Sequence, residues 1–212
     1  MDRITCNIIA LAGTSGSGKS YIAKSLCDLA SLNELKKVLK TNTTVPIIFK
    51  KPMQYTTRPK RENETCLDYN FLTAEEYNEI NRQGLLTART HFGNNYYGTL
   101  INDFIFSEYA YNIIPVSKEA LNDLNNFESL FKNKFGLQTI KINIKTALVL
   151  SSYNEEYMKK RKRNKEFFME ELFDLTQTRF DYYIPNFVNE DGKYELDAIE
   201  IAKKLDFEVK IR

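Results

Sequence analysis

The chain has 212 residues, 42% hydrophobic and 27% charged, with 13 Tyr, 14 Phe and no Trp. That length supports one good hydrophobic core plus a small insert, and that composition excludes a largely disordered chain. The 30 Lys and Arg against 28 Asp and Glu leave a formal charge of +2, which gives no support for a general nucleic-acid coat.

No apolar run approaches the roughly 18 residues of a membrane span. The start, Met1-Asp2-Arg3-Ile4-Thr5-Cys6, lacks the apolar stretch of a signal peptide. Cys6, Cys27 and Cys66 are odd in number and lack metal-like spacing, so free thiols are expected. The expectation is a cytoplasmic protein without a membrane segment. The Asn residues read as compositional.

In chain order, Ile4 to Ala12 reads as a buried parallel strand ending at a Gly-rich turn. Apolar residues from Ile22 to Leu39 recur at helical spacing, giving one helix from Lys19 to about Lys40, or two. Val45 to Phe49 is a short strand, and Pro52 and Pro59 bracket an irregular polar stretch. Tyr69 to Leu72 reads as strand. Thr73-Ala74-Glu75-Glu76 has the capping-box pattern and opens a helix to about Ile80, ended by Gly84. Leu85 to Thr90 is a strand before the turn Gly93-Asn94-Asn95. Leu100 to Tyr109 is expected helical and Tyr111 to Val116 a buried strand. Ser117 caps a helix to about Leu130. Leu137 to Ile144 is a strand with Leu148 to Leu150 nearby. Asn154 to Arg179 reads as a long charged helical stretch, Leu196 to Leu205 as the last helix and Glu208 to Ile211 as a closing strand.

Strands alternating with helices predict an α/β fold, a parallel sheet covered on both faces. Residues 53–98 break the rhythm and read as a small β-rich insert.

Gly13-Thr14-Ser15-Gly16-Ser17-Gly18-Lys19-Ser20 fits G-x-x-x-x-G-K-[ST] in full, between a strand and a helix. Glycines let backbone N–H groups turn around a phosphate, and the helix N-terminus adds a favourable dipole. Lys19 can reach the β- and γ-phosphates of ATP, and the Ser20 hydroxyl can ligate Mg²⁺. A ligand-free Gly/Ser turn is the plain alternative.

Tyr55-Thr56-Thr57-Arg58-Pro59-Lys60-Arg61 places two guanidinium groups three residues apart. Arg forks match phosphate oxygens bidentately. Tyr69, Tyr96 and Tyr97 add hydroxyl donors, and Gly93 and Gly98 allow close backbone approach. This set suggests a pocket for a second, phosphate-bearing substrate; a solvated basic loop beside core tyrosines is the alternative. The basic cluster 158–165 reads as a lid over the triphosphate, a nucleic-acid patch or a solvent-facing helix surface.

Together these residues resemble the guanylate kinase family of nucleoside monophosphate kinases. The P-loop is close to the family's glycine-serine-glycine-x-glycine-lysine form. Thr56-Thr57-Arg58-Pro59 resembles its threonine-threonine-arginine signature, with Arg61 and Glu64 at matching spacing. Asp68-Tyr69-Asn70-Phe71 resembles its aspartate-tyrosine-x-phenylalanine segment. Gly93-Asn94-Asn95-Tyr96-Tyr97-Gly98-Thr99 resembles glycine-asparagine-tyrosine-tyrosine-glycine-threonine with one extra Asn. Asp181-Tyr182 and Asn186 resemble its C-terminal pattern.

The resemblance implies a three-layer P-loop core (1–52 and 99–212), a monophosphate-binding subdomain (53–98) and a lid at about 154–166. It implies that Gly13, Thr14, Ser15, Gly16, Ser17, Gly18, Lys19 and Ser20 hold ATP, with Ser20 on Mg²⁺. Arg58, Arg61, Tyr69 and Tyr97 would hold the acceptor phosphate, with Glu64 orienting the arginines or touching the acceptor. Lys19 and Arg58, with Arg161 or Arg163 from the lid, would stabilise the transferring phosphoryl group. The acceptor is itself a phosphate oxyanion, so no base is required, and His91 reads as a surface or structural residue. Small-molecule nucleotides are the expected partners, with neither nucleic acid nor membrane, for a monomer or homodimer.

The departures fall where the family reads guanine. Its base-contacting Ser corresponds to Gln54, and its Glu six residues before the tyrosine-motif glycine to Thr87, or to Ala88 if the extra Asn is allowed for. Its Asp after the next buried strand corresponds to Ser117. A guanine edge offers adjacent N–H donors that an anion accepts strongly, and an unpaired buried donor costs about 1–3 kcal/mol. The acceptor pocket formed by Gln54, Glu64, Thr87 and Ser117 therefore points to an ATP-dependent nucleoside monophosphate kinase with a changed acceptor base, GMP or dGMP remaining open. Two rivals remain: a sugar-phosphate kinase resembling the ribose bisphosphate phosphokinases, and a non-catalytic kinase-like binding protein. The retained tyrosine pair argues against the first and the intact P-loop against the second.

Overall fold

A computed structural model describes residues 4–31, 47–62, 69–136, 140–160, 164–187 and 196–205. Strand β1 (Ile4–Gly13) is the centre of a parallel five-stranded sheet ordered β2-β7-β1-β8-β9. Its neighbours are β7 (Ala110–Pro115) and β8 (Ile140–Leu150), with Ile9 opposite Ile113 and Lys145. The edges are β2 (Ile48–Lys50) and β9 (Tyr182–Pro185).

A central parallel strand is buried on both faces, which explains why β1 is apolar almost throughout. Cys6, Ile8, Ala10 and Ala12 face one core with Leu124, Phe127 and Phe131. Those come from helices α3 (Lys118–Leu124) and α4 (Phe127–Phe135). Ile9 and Leu11 face the other core with Ile22, Leu26 and Ile201, from α1 (Lys19–Ser31) and α7 (Ala198–Lys204). Each of these large side chains contributes about 1.5–3 kcal/mol on burial. The result is the expected three-layer α/β arrangement.

A second sheet, ordered β4-β3-β6-β5, stands beside the carboxyl end of the first. Its strands are β3 (Gln54–Thr56), β4 (Asn70–Phe71), β5 (Leu86–Phe92) and β6 (Asn95–Leu100). Helix α2 (Ala74–Arg82) lies between β4 and β5, and Thr73 and Glu76 form the predicted capping box. Ser117 caps α3 as expected, accepting from Ala120 N. Arg89 fastens this sheet to α3: its backbone N–H and its Nε donate to the Asp123 carboxylate at 2.9 and 3.0 Å.

Several expectations need correction. Leu100 to Tyr109 is not a helix; only Ile101–Asp103 forms a 3-10 turn. Two buried side chains, Asn112 on the strand that follows and Asn7 on the distant β1, take its backbone groups. Asn112 bonds Ile105 N at 2.8 Å and Ile105 O at 2.9 Å, and Asn7 Nδ2 reaches the carbonyls of Ser107, Glu108 and Ala110. The Asn residues are thus not merely compositional. The helix from Ser117 breaks at Asn125-Asn126 into α3 and α4. The long stretch from Asn154 divides into α5 (Glu155–Lys160) and α6 (Lys165–Thr176), with the Asn164 side chain accepting from Phe167 N to cap α6. Strand β8 is continuous, and β3, β6 and β9 were not anticipated as strands. The expected elements at residues 32–46 and 208–211 lie outside the described residues. Among the described residues, no helix is long and apolar enough to cross a membrane.

Candidate active site

The phosphate loop leaves β1 at Gly13 and enters α1 at Lys19. A Cβ on Gly13 would lie 2.5 Å from Ser17 Oγ and 2.7 Å from Val149 O, so the loop can pass β8 only without a side chain there. Gly16 and Gly18 have φ of 85° and 86°, which only glycine adopts readily and which turns successive amides inward. Ser17 N–H donates to Thr14 O at 3.1 Å, closing the turn. Lys19 Nζ lies back along the loop, donating to Gly13 O at 2.6 Å and Thr14 O at 2.9 Å. The loop is held from outside by Asn186 at the end of β9, whose Nδ2 donates to Ser17 O at 2.8 Å.

The loop forms one end of a cleft of about 670 Å³. Of the sequence-predicted loop residues, Gly13, Ser15, Gly16, Gly18, Lys19 and Ser20 line it, while Thr14 and Ser17 are buried beneath. Arg58, Arg61, Tyr69 and Tyr97 line the same cleft, brought there by the strands of the second sheet and the segments next to them. Arg58 is only 8% exposed. Its guanidinium sits 5.1 Å from the Tyr69 ring centroid and 5.5 Å from that of Phe71, and Nη1 donates to Pro59 O. The rings fix the fork at a site where charge is otherwise expensive to bury. Tyr69 and Tyr97 meet edge to face at 6.4 Å.

The remaining wall differs from the sequence reading. Gln54 and Ser117 line the cleft, with Gln54 Nε2 donating to Pro115 O at 2.9 Å. Thr87 does not line it. The residue is 1% exposed, paired with Thr99, and β5 bulges between Thr87 and Thr90. The bulge puts Ala88, at φ 51°, in the cleft wall in its place. Glu64, Arg161 and Arg163 lie outside the described residues.

Sequence reasoning missed the acidic groups of this wall. Glu119, in the first turn of α3, accepts from Thr90 Oγ1 at 2.6 Å and His91 N at 3.2 Å, with His91 Nδ1 3.1 Å away. Ser117 Oγ donates to Thr90 Oγ1, so one hydrogen-bonded chain joins α3 to β5 across the cleft wall. Burial pushes the Glu119 carboxyl up, but the bonds from Thr90 and His91 outweigh it and hold it below the usual value. His91, expected to be a surface or structural residue, is exposed and belongs to the wall. At the loop end, Glu171 of α6 accepts Ser15 N–H at 2.9 Å through Oε2. No local signal singled out Glu171 from its acidic neighbours on α6. Among the described residues no group of three or more His, Cys, Asp or Glu could hold a metal.

No protein-family model matches the chain. Guanylate kinases from three strains of Mesomycoplasma hyopneumoniae are 33% identical to it over 129 residues, 60% of this chain and 57% of theirs. A deoxyguanosine kinase from Dictyostelium discoideum is 23% identical over 133 residues, 63% of this chain and 44% of that protein. The chain thus spans about half the length of the curated relatives it matches. The guanylate kinase of Anaplasma phagocytophilum has a similar fold, with a TM-score of 0.53 at 18% identity, over 97% of this chain and 85% of that one. Over part of its length the chain thus has family-level similarity to guanylate kinases, and it shares the fold of one.

Proposed function

We propose that this protein is an ATP-dependent nucleoside monophosphate kinase that transfers the γ-phosphoryl group to a (deoxy)nucleoside monophosphate. The observation that carries the reading is one cleft lined both by the glycine-rich loop with Lys19 and by Arg58, Arg61, Tyr69 and Tyr97. Two phosphate-binding ends facing one space suit transfer between two phosphorylated substrates. In this reading residues 53–98 are the acceptor subdomain, 1–52 and 99–212 the core, and 154–166 the lid.

Ser20 stands in the first turn of α1 and lines the cleft. A hydroxyl there, with no metal-holding cluster of acidic groups among the described residues, fits a Mg²⁺ held mainly by nucleotide phosphates and water. Bound Mg²⁺ would neutralise charge building on the transferred group. The chain's own part is placement. Lys19 must release Gly13 O and Thr14 O to reach the phosphates. Arg58 and Arg61 hold the acceptor phosphate in line, and no proton need be removed from it. Glu119 supplies a carboxylate on the acceptor wall where Ala88 and Ser117 have none, so a base with N–H donors, guanine included, remains within reach.

The test is ADP formation from ATP and Mg²⁺ with GMP, dGMP, AMP, dAMP, CMP, dCMP, UMP, dUMP, dTMP and ribose 1,5-bisphosphate. Turnover with a nucleoside monophosphate is the expected result. Turnover with the sugar bisphosphate alone, or with none of the panel, would sink the reading.

A further inference from the structure

The contact between Ser15 and Glu171 joins two parts of the site that should oppose each other. Ser15 N–H belongs to the loop whose amides bind anions, and it donates to a carboxylate of the chain itself at 2.9 Å. Such a bond to an ionised acceptor is among the stronger hydrogen bonds. Both residues line the same cleft as Lys19. A polyphosphate taking this amide brings several negative charges up to the Glu171 carboxylate, in a partly buried place where screening is weak.

We infer that Glu171 is a built-in competing anion: its carboxylate takes a phosphate-loop amide that the nucleotide polyphosphate must win, and so it sets nucleotide affinity. The inference rests on the nucleotide reading of the loop. Helix α6 is anchored by Phe168 and Leu175, each 5% exposed. The carboxylate therefore leaves by side-chain rotation while the helix stays docked. Asp174 lies one turn further along α6 on the same cleft, but its carboxylate bonds Lys118 at 3.3 Å. It supplies a charge of the same sign without the Ser15 contact.

The experiment is calorimetric titration of the full chain with ADP, ATP and inorganic tripolyphosphate, each without Mg²⁺. Wild type is compared with Glu171→Gln, Glu171→Ala and Asp174→Asn, each checked for a cooperative thermal melt. Glu171→Gln keeps the shape and an acceptor oxygen while removing the charge, and Glu171→Ala serves if the glutamine variant misfolds. The expected result is a Kd lower by about fivefold or more for tripolyphosphate and ATP in the Glu171 variants, with a smaller gain for Asp174→Asn. Equal gains in the Asp174 and Glu171 variants would assign the effect to general field and overturn the inference. Unchanged or weaker binding in the Glu171 variants would overturn it too, while leaving the nucleotide reading intact. No binding by any protein, wild type included, would overturn that reading and the inference with it.

Discussion

Asn186 Nδ2 donates to Ser17 O at 2.8 Å, tying the end of the edge strand β9 to the phosphate loop. The asparagine is fully buried, and its own N–H donates to Leu150 O at 2.8 Å. The loop's shape thus depends on a residue far along the chain. Asn186→Ala leaves Ser17 O buried without this donor, a loss of about 1–3 kcal/mol. In a domain of this size each kcal/mol lowers Tm by about 2–4 °C. Thermal melts should show that drop, and nucleotide affinity should fall with it. A variant with wild-type Tm and affinity would show that the loop holds its shape alone.

Cys6 lies in the middle of the sheet, fully buried, and burial pushes its thiol up to about 12. Only the thiolate reacts, so this sulfur should be inert in the folded protein. Native labelling with iodoacetamide at pH 8, followed by peptide mass mapping, should leave Cys6 unmodified. Labelling in denaturant should modify it fully. Modification of Cys6 within minutes in the native protein would mean that β1 opens far more readily than its packing implies.

The readable parts of this fold were those with local causes. The glycine-rich turn between β1 and α1, the Thr73 capping box and the Ser117 cap each follow from a few adjacent residues, and each stands where it was expected. The segment Leu100 to Tyr109 was misread because side chains rather than helical carbonyls satisfy its backbone: Asn112 just beyond it, and Asn7 about a hundred residues earlier. Strand β3 hid in a polar stretch because it is three residues long and takes its pairing from β6 and β4. The site divided in the same way. The arginines and tyrosines carried recognisable spacing, whereas Glu119 and Glu171 matter only through which helix face meets the cleft. Thr87 was misplaced because a bulge reverses the alternation of β5, and no residue pattern announced it.

The Glu119 contact carries a pH signature. Its carboxyl is held below 4.5 in the folded chain, against burial, by bonds from Thr90 and His91. A depressed carboxyl stabilises the fold fully above its unfolded value and loses that contribution as pH falls through the folded value. The side chain is 53% exposed, so solvent screening keeps the effect small. Urea unfolding of Glu119→Gln should show a shallower loss of stability below pH 4.5 than wild type, with little difference in slope at neutral pH. Parallel curves through the acid range would mean that the bond contributes nothing to folding.

Arg58 offers the sharpest separation of the two ends of the cleft. Its fork is fixed against the Tyr69 and Phe71 rings and is nearly buried. Arg58→Lys keeps the charge but loses the planar stack and the bidentate geometry. Hydrogen bonds to charged groups are worth about 1.5–3 kcal/mol, so kcat/KM for the acceptor should fall about 10- to 100-fold. The KM for ATP should stay near wild type if Arg58 serves the acceptor as proposed, because its fork is held by the Tyr69 and Phe71 rings of the second sheet rather than by the glycine-rich loop. Initial rates with each substrate varied against a saturating partner distinguish the two. A rise in the ATP constant with the acceptor constant unchanged would place Arg58 on the triphosphate and reverse the proposed assignment of the cleft's ends.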